Sequence, residues 1–168
     1  MWSALIADWV RSQLLAKKGA HLLLPSHAVK LSDSDRVIAQ KAMPLLQEGG
    51  FDPPWLRDIA TDIREPEAVV RMVFARQAAA GNLYAVVKDL YYPLATVEML
   101  AGIVRRIAQA DGEVLAAGFR DATGLGRKRA IQILEFFDRI GLLRRVGDRH
   151  VLRADCQLFV GMTTAEAA

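Results

Sequence analysis

Residues 118 to 152 read GFRDATGLGRKRAIQILEFFDRIGLLRRVGDRHVL, and this stretch decides the fold. From about Arg127 to Ile140, Ala130, Ile133, Leu134 and Phe137 recur at helical spacing and predict one buried stripe. Lys128, Gln132, Glu135 and Arg139 take the opposite face, with Arg127 and Arg129 on its flanks. Gly141 is placed to end the helix, because glycine adopts the left-handed conformation of a C-terminal cap without steric cost. LLRRV follows, then Gly147-Asp148, which fits a two-residue hairpin turn with Gly first. That turn sets a register, with Arg145 opposite His150 and Leu143 opposite Leu152. The leucines then face the core, while Arg145 and His150 lie nearer the hairpin tip.

The same plan occurs upstream. Residues 55 to 92, WLRDIATDIREPEAVVRMVFARQAAAGNLYAVVKDLYY, align Arg57-Asp58 with Arg120-Asp121 and Gly81 with Gly141. Each copy runs short helix, turn, longer amphipathic helix, Gly and hairpin, so the chain is read as tandem modules before any motif is assigned. This is the winged-helix plan, and the fold class expected is mainly α with small β-hairpin wings. The middle module takes residues 34–93, with a first helix over Asp35 to Gln47 and a third starting at Glu65-Pro66-Glu67. The last takes 94–158, with its first helix from Leu94 to Ala110, and 159–168 form a tail. A linker of only a few residues implies a fairly rigid tandem. Residues 1–33 carry the third helix and wing of an earlier module without its start, with Gly19 after the helix and AHLLLPSHAVKL as two strands around Pro25-Ser26.

The charge is segregated. Between 119 and 153 stand nine Lys or Arg against four acids, a net +5 in a chain of net charge +3, while residues 1–118 hold 13 of each sign. Concentrated positive charge is the footprint of a polyanion, most often nucleic acid. The middle module has Arg64-Glu65-Pro66-Glu67 where the last has Gly126-Arg127-Lys128-Arg129, and Ala85-Val86-Val87-Lys88 where the last has Arg144-Arg145-Val146-Gly147. Arginine and lysine neutralise phosphates there, and free amides at the helix start can bind another. The bland reading is a solvated charged face, since cations at a helix start oppose its dipole. Glu135 and Arg139 fit an ordinary i,i+4 pair. The repeated Arg-Asp pairs read as pins for the second helix, and Trp55, Phe119, Phe136 and Phe137 as core.

Other chemistry has little support. The 168 residues, 52% apolar and 24% charged, describe a folded chain of one domain or two small ones. A single cysteine, Cys156, excludes an internal disulfide and a cysteine-rich zinc site and suits a reducing cytoplasm. No apolar run approaches the ~18 residues that span a bilayer. His21, His27 and His150 show no metal-site spacing, and no GxxxxGK[ST] loop is present, so no enzyme activity is expected of this chain.

FDPPWLRDIA, GNLYAVVKDLYYP and FRDATGLGRKRAIQILEFFDRIGLLRRVGDRHVLR resemble the C-terminal region of the bacterial selenocysteine-specific elongation factor family, SelB. The resemblance covers nearly the entire chain. It implies four winged-helix modules after a GTPase and tRNA-binding body, of which this chain would hold the end of the second, then the third and fourth. It further implies that the last modules bind the selenocysteine insertion hairpin of messenger RNA beside an in-frame UGA. The RNA-binding residues carried over are Gly126, Arg127, Lys128 and Arg129, with Arg144, Arg145, Arg149 and His150 in the wing. Where the family carries Ser or Thr, this chain has Gly126, which removes a hydroxyl cap. GTP and Mg are expected only in the missing body, which also holds selenocysteyl-tRNA and meets the ribosome. The expectation is a cytoplasmic monomer, with no membrane partner and no cofactor here. Because A-form major grooves are too narrow for a helix, loop shape, backbone and flipped-out bases are what such a face reads, with Arg or His packing on an extruded base. The rival expectations are a double-stranded DNA-binding regulator and a protein-interaction module.

Overall fold

The computed structural model describes residues 2–24, except 14 and 19, and 31–160. The chain opens with α1 (Trp2–Arg11) and the hairpin β1 (Ala16–Lys18) and β2 (His21–Leu23). The middle unit is α2 (Asp33–Glu48), α3 (Leu56–Asp62), α4 (Glu67–Ala79), β3 (Leu83–Val87) and β4 (Leu90–Pro93). The last is α5 (Leu94–Asp111), β5 (Val114–Leu115), α6 (Ala116–Thr123), α7 (Arg127–Arg139), β6 (Leu143–Val146) and β7 (Arg149–Leu152). Both units are winged helices.

Local chemistry sets the helix ends. Ser32 caps α2 through a reciprocal box in which its hydroxyl accepts from the Asp35 amide and the Asp35 carboxylate accepts from the Ser32 amide. The helix therefore begins two residues earlier than the expected Asp35. Gly81 and Gly141 take φ of 72° and 83° after α4 and α7, as a left-handed cap requires. Gly147, at φ 63°, turns the last wing, and its strands keep the expected register: Arg145 faces His150 and Leu143 faces Leu152. The two-residue β5 adds a third strand, in order β5-β7-β6.

Two cores share one wing. Ile38, Leu46, Ile59, Val73, Phe74, Leu83 and Tyr91 fill the middle unit. Tyr84, Val86, Leu90 and Tyr92, on the other side of β3 and β4, join Leu100, Phe119, Ile133 and Phe137 in the core of the last unit. All four residues of β4 are buried. There is no linker, since β4 ends at Pro93 and α5 starts at Leu94. Phe136 stacks edge-on against Tyr84, 6.1 Å between ring centroids, and Arg139 donates to the Val86 carbonyl. Arg139 thus reaches across the junction instead of pairing with Glu135.

Three expectations shift. A residue after α1 that takes the left-handed conformation is Gln13, at φ 59°; Gly19 lies outside the described residues. The first hairpin pairs Lys18 with His21, several residues before Pro25-Ser26, which also lie outside them. Strands of three residues specify register weakly, so sequence pattern alone does not fix it. Phe159, read as the first tail residue, is buried in the last core 5.9 Å from Tyr84.

Candidate nucleic-acid interface

The start of α7 is open to solvent at Gly126. Gly126 is its N-cap, with extended backbone and no side-chain cap, and an added Cβ would meet nothing within 4 Å. The amides of the first turn are therefore left to solvent or to a ligand. Arg127 and Lys128 are exposed. Among the described residues, neither they nor Arg144 has an ion-pair or hydrogen-bond partner for its side chain.

The wing has two unlike faces, because successive strand residues point to opposite sides. Arg145, His150 and Val114 form one cross-strand row on the side of α7. Leu115, Arg149 and Val146 form the neighbouring row on the outer side, shared by Arg144. Arg145 donates from Nε to the Gly147 carbonyl at 3.0 Å and places Nη1 3.5 Å from Glu135 Oε1. Arg149 Nη1 lies 2.9 Å from Glu113 Oε2. At the outer row Leu115 and Val146 stay 46% and 38% exposed and, with Arg149, line a shallow cavity of about 420 Å³.

Two of the eight expected residues are turned inward. Arg129 retains 13% side-chain exposure; its Nε is 2.7 Å from Asp52 Oδ1, and its guanidinium lies over Trp55 at 5.2 Å. Beside it, burial pushes the Tyr92 hydroxyl well above its ordinary range, with Arg129 pulling the other way, and that hydroxyl donates to the Phe51 carbonyl at 2.9 Å. His150 is buried, with Nδ1 2.9 Å from Asp138 Oδ2 on α7. As they stand, Arg129 joins the helix start to the middle unit, and His150 ties the wing to α7. A helical wheel places Arg129 on a flank but cannot show that another module covers that flank. A pairing register likewise places His150 opposite Arg145 without revealing the acid behind it.

The repeated Arg-Asp pairs behave differently from a pin. Arg120 and Asp121 pair with each other at 2.7 Å and Arg57 and Asp58 at 3.9 Å, all four exposed. Phe119, Phe136 and Phe137 are core, whereas Trp55 is half-exposed under Arg129. Sequence reading missed Leu115, Val146, Glu113, Asp52 and the pairing of Glu135 with Arg145. A single apolar residue between Arg145 and the Gly147 turn was the available signal for Val146; none existed for Leu115, whose strand is two residues long.

At the equivalent place the middle unit carries two acids held by cations, and Arg64 is its exposed cation without a side-chain partner among the described residues. Lys41 pairs with Glu65 at 2.9 Å, and Arg71 binds both Glu67 and Asp89. Among the described residues no group of His, Cys, Asp or Glu could hold a metal ion, and no helix is long and apolar enough to cross a membrane.

Comparison with known proteins agrees with this architecture. Residues 31–92 match the family model described as selenocysteine-specific elongation factor, winged helix domain, and residues 105–152 match that of elongation factor SelB, winged helix. Over 138 residues, 82% of this chain, it is 44% identical to the selenocysteine-specific elongation factor of Escherichia coli, and it is 29% identical over 130 residues to that of Haemophilus influenzae. The chain spans only 22% and 21% of the length of these curated relatives. A solved structure of the mRNA-binding domain of elongation factor SelB from E. coli, in complex with SECIS RNA, aligns with a TM-score of 0.68 and 43% identity. It covers 73% of this chain and 99% of that one. The fold alone is shared with a bacterial elongation factor EF-Sec structure at 18% identity and a TM-score of 0.54. With both winged-helix units matched and a relative of 43% identity covered almost end to end, the chain belongs to the selenocysteine-specific elongation factor family.

Proposed function

We propose that this chain binds a messenger RNA stem-loop, the selenocysteine insertion element, through the α7 start and wing of its last module, and so supports selenocysteine incorporation at UGA. The observation that carries the reading is the contrast between two copies of one scaffold. Among the described residues, the last leaves Arg127, Lys128 and Arg144 unpaired at its helix start and wing. The middle one has Glu65 and Glu67 there, bound to Lys41 and Arg71. The relative solved with SECIS RNA, 43% identical, supports the choice of ligand.

Arg127 and Lys128, with the free first-turn amides, take phosphates. Arg144, Arg145 and Arg149 extend that contact along the wing. The row Leu115, Arg149, Val146 suits an extruded base, with apolar edges around a planar guanidinium on which a base can stack. Arg129 and His150 act from behind this face, holding the helix start and the wing in place. The middle module is a spacer. GTP, Mg, selenocysteyl-tRNA and the ribosome belong to a body beyond this chain, and the chain works as a monomer in the cytoplasm.

A mobility-shift series at fixed salt tests this, using a selenocysteine-insertion stem-loop, the same stem with a replaced loop, and duplex DNA. The intact stem-loop should bind tightest. Equal affinity for all three would remove RNA-hairpin binding as the function, and preference for the duplex would favour a DNA-binding regulator.

A further inference from the structure

We propose that Glu135 and Glu113 are specificity determinants of this face, carboxylates that hold two wing arginines and oppose binding to any uniform phosphate backbone. The inference rests on the RNA-binding reading above and goes further, to how the face rejects the wrong polyanion.

The nine basic residues of 119 to 153 overstate the free positive charge that an approaching nucleic acid meets. Arg145 is held between the Gly147 carbonyl and Glu135, and Arg149 is held by Glu113. Arg129 and Arg120 are matched by Asp52 and Asp121. Glu135 sits on the same helical strip as Lys128, two turns further along α7, and meets Arg145 from the wing. A negative charge thus interrupts the basic path from the helix start to the wing. Glu113 does the same at the outer sheet, just before β5.

Neither pair contributes much to the fold. Both are partly solvent-exposed, and such pairs are weak and screened by salt. Their consequence falls on binding. A duplex presents phosphates at every step, so wherever it lies along α7 and the wing it must bring a phosphate beside a carboxylate. A hairpin loop can turn its backbone away and offer base amino groups, which a carboxylate accepts as hydrogen bonds. Discrimination then comes from a built-in repulsion as well as from attraction.

The test compares wild type with Glu135→Gln, Glu113→Gln and the double variant, binding a selenocysteine-insertion stem-loop and a loopless RNA duplex across a salt series. Asp111→Asn removes one acid of the same module that has no cationic partner among the described residues, and serves as the charge control. Each Gln variant should bind the duplex about three- to fivefold tighter, because one more arginine is free for phosphate. The duplex slope of log K against log[salt] should steepen by about 0.7 to 0.9 per freed arginine. Stem-loop affinity should gain less, so the stem-loop to duplex ratio falls, while Asp111→Asn leaves the ratio and slope alone. Equal gains on both RNAs, unchanged duplex binding, or an equal effect of Asp111→Asn would overturn the proposal. A wild-type chain that does not prefer the stem-loop would sink the underlying function as well, whereas a selective wild type with equally selective variants sinks only this inference.

Discussion

Arg129 Nε lies 2.7 Å from Asp52 Oδ1, so the third basic residue of the α7 start is engaged by the middle module before any nucleic acid arrives. Its guanidinium also covers the Trp55 ring at 5.2 Å. Arg129→Ala should lower the unfolding free energy by about 1 to 2 kcal/mol, the worth of a half-screened ion pair plus a cation–π contact. The salt slope of RNA binding should stay as in wild type. A slope reduced as much as by a phosphate-contacting lysine would return Arg129 to the binding face.

Arg127 and Lys128 lie two and one residues before it and differ in having no side-chain partner among the described residues. Arg127→Ala and Lys128→Ala should each weaken stem-loop binding by about 1 to 3 kcal/mol and flatten the salt slope by about 1. Filter binding at several salt concentrations reads both quantities. No change in either would make this face an ordinary solvated surface.

His150 is a structural prediction. Removing its ring by His150→Ala takes away the side-chain partner that Asp138 has among the described residues, where the other Asp138 oxygen is already buried and unpaired. The cost should be about 2 to 3 kcal/mol in urea unfolding. Binding measured well below the melting range should change far less. A variant as stable as wild type would contradict the pairing.

Much of this was legible in the sequence, and the part that was not shares one cause. The repeat, the α7 stripe and the Arg145–His150 register depend on periodicity and turn chemistry within a few dozen residues. Arg129, Arg139 and His150 depend on what covers them, and Asp52, the Val86 carbonyl and Asp138 are set by tertiary packing. The middle wing shows the same limit. NLYAVV reads as a strand, but nothing local says that Tyr84 and Tyr92 face a second core.

Acid should unfold the middle unit through its capping box. The Arg76 guanidinium, 2.6 Å from Asp35 Oδ2, holds that carboxyl below its ordinary range, and Arg71 does the same for Asp89. A depressed folded pKa gives stability that is complete above the unfolded value of about 4 and is lost as pH falls through the folded one. Urea midpoints should therefore drop between about pH 5 and pH 2, and Asp35→Asn should start lower and drop less. Parallel curves for the two proteins would remove Asp35 from the acid response.

Because β3 and β4 feed both cores, heat should unfold the two units together. Phe136→Ala, which empties the contact with Tyr84, should cost about 3 to 5 kcal/mol. Calorimetry of the wild type should give one transition, and two well-separated peaks would show that the cores are independent.

The junction at Pro93 and Leu94 bears on descent as well as stability. Two copies of a duplicated module stay interchangeable only while each keeps its own surface. Here the earlier copy has given the outer side of its wing, Tyr84, Val86 and Tyr92, to the interior of the later one. Swapping, deleting or transplanting either copy would now lay a core open to water. The two copies of the repeat therefore make one indivisible piece.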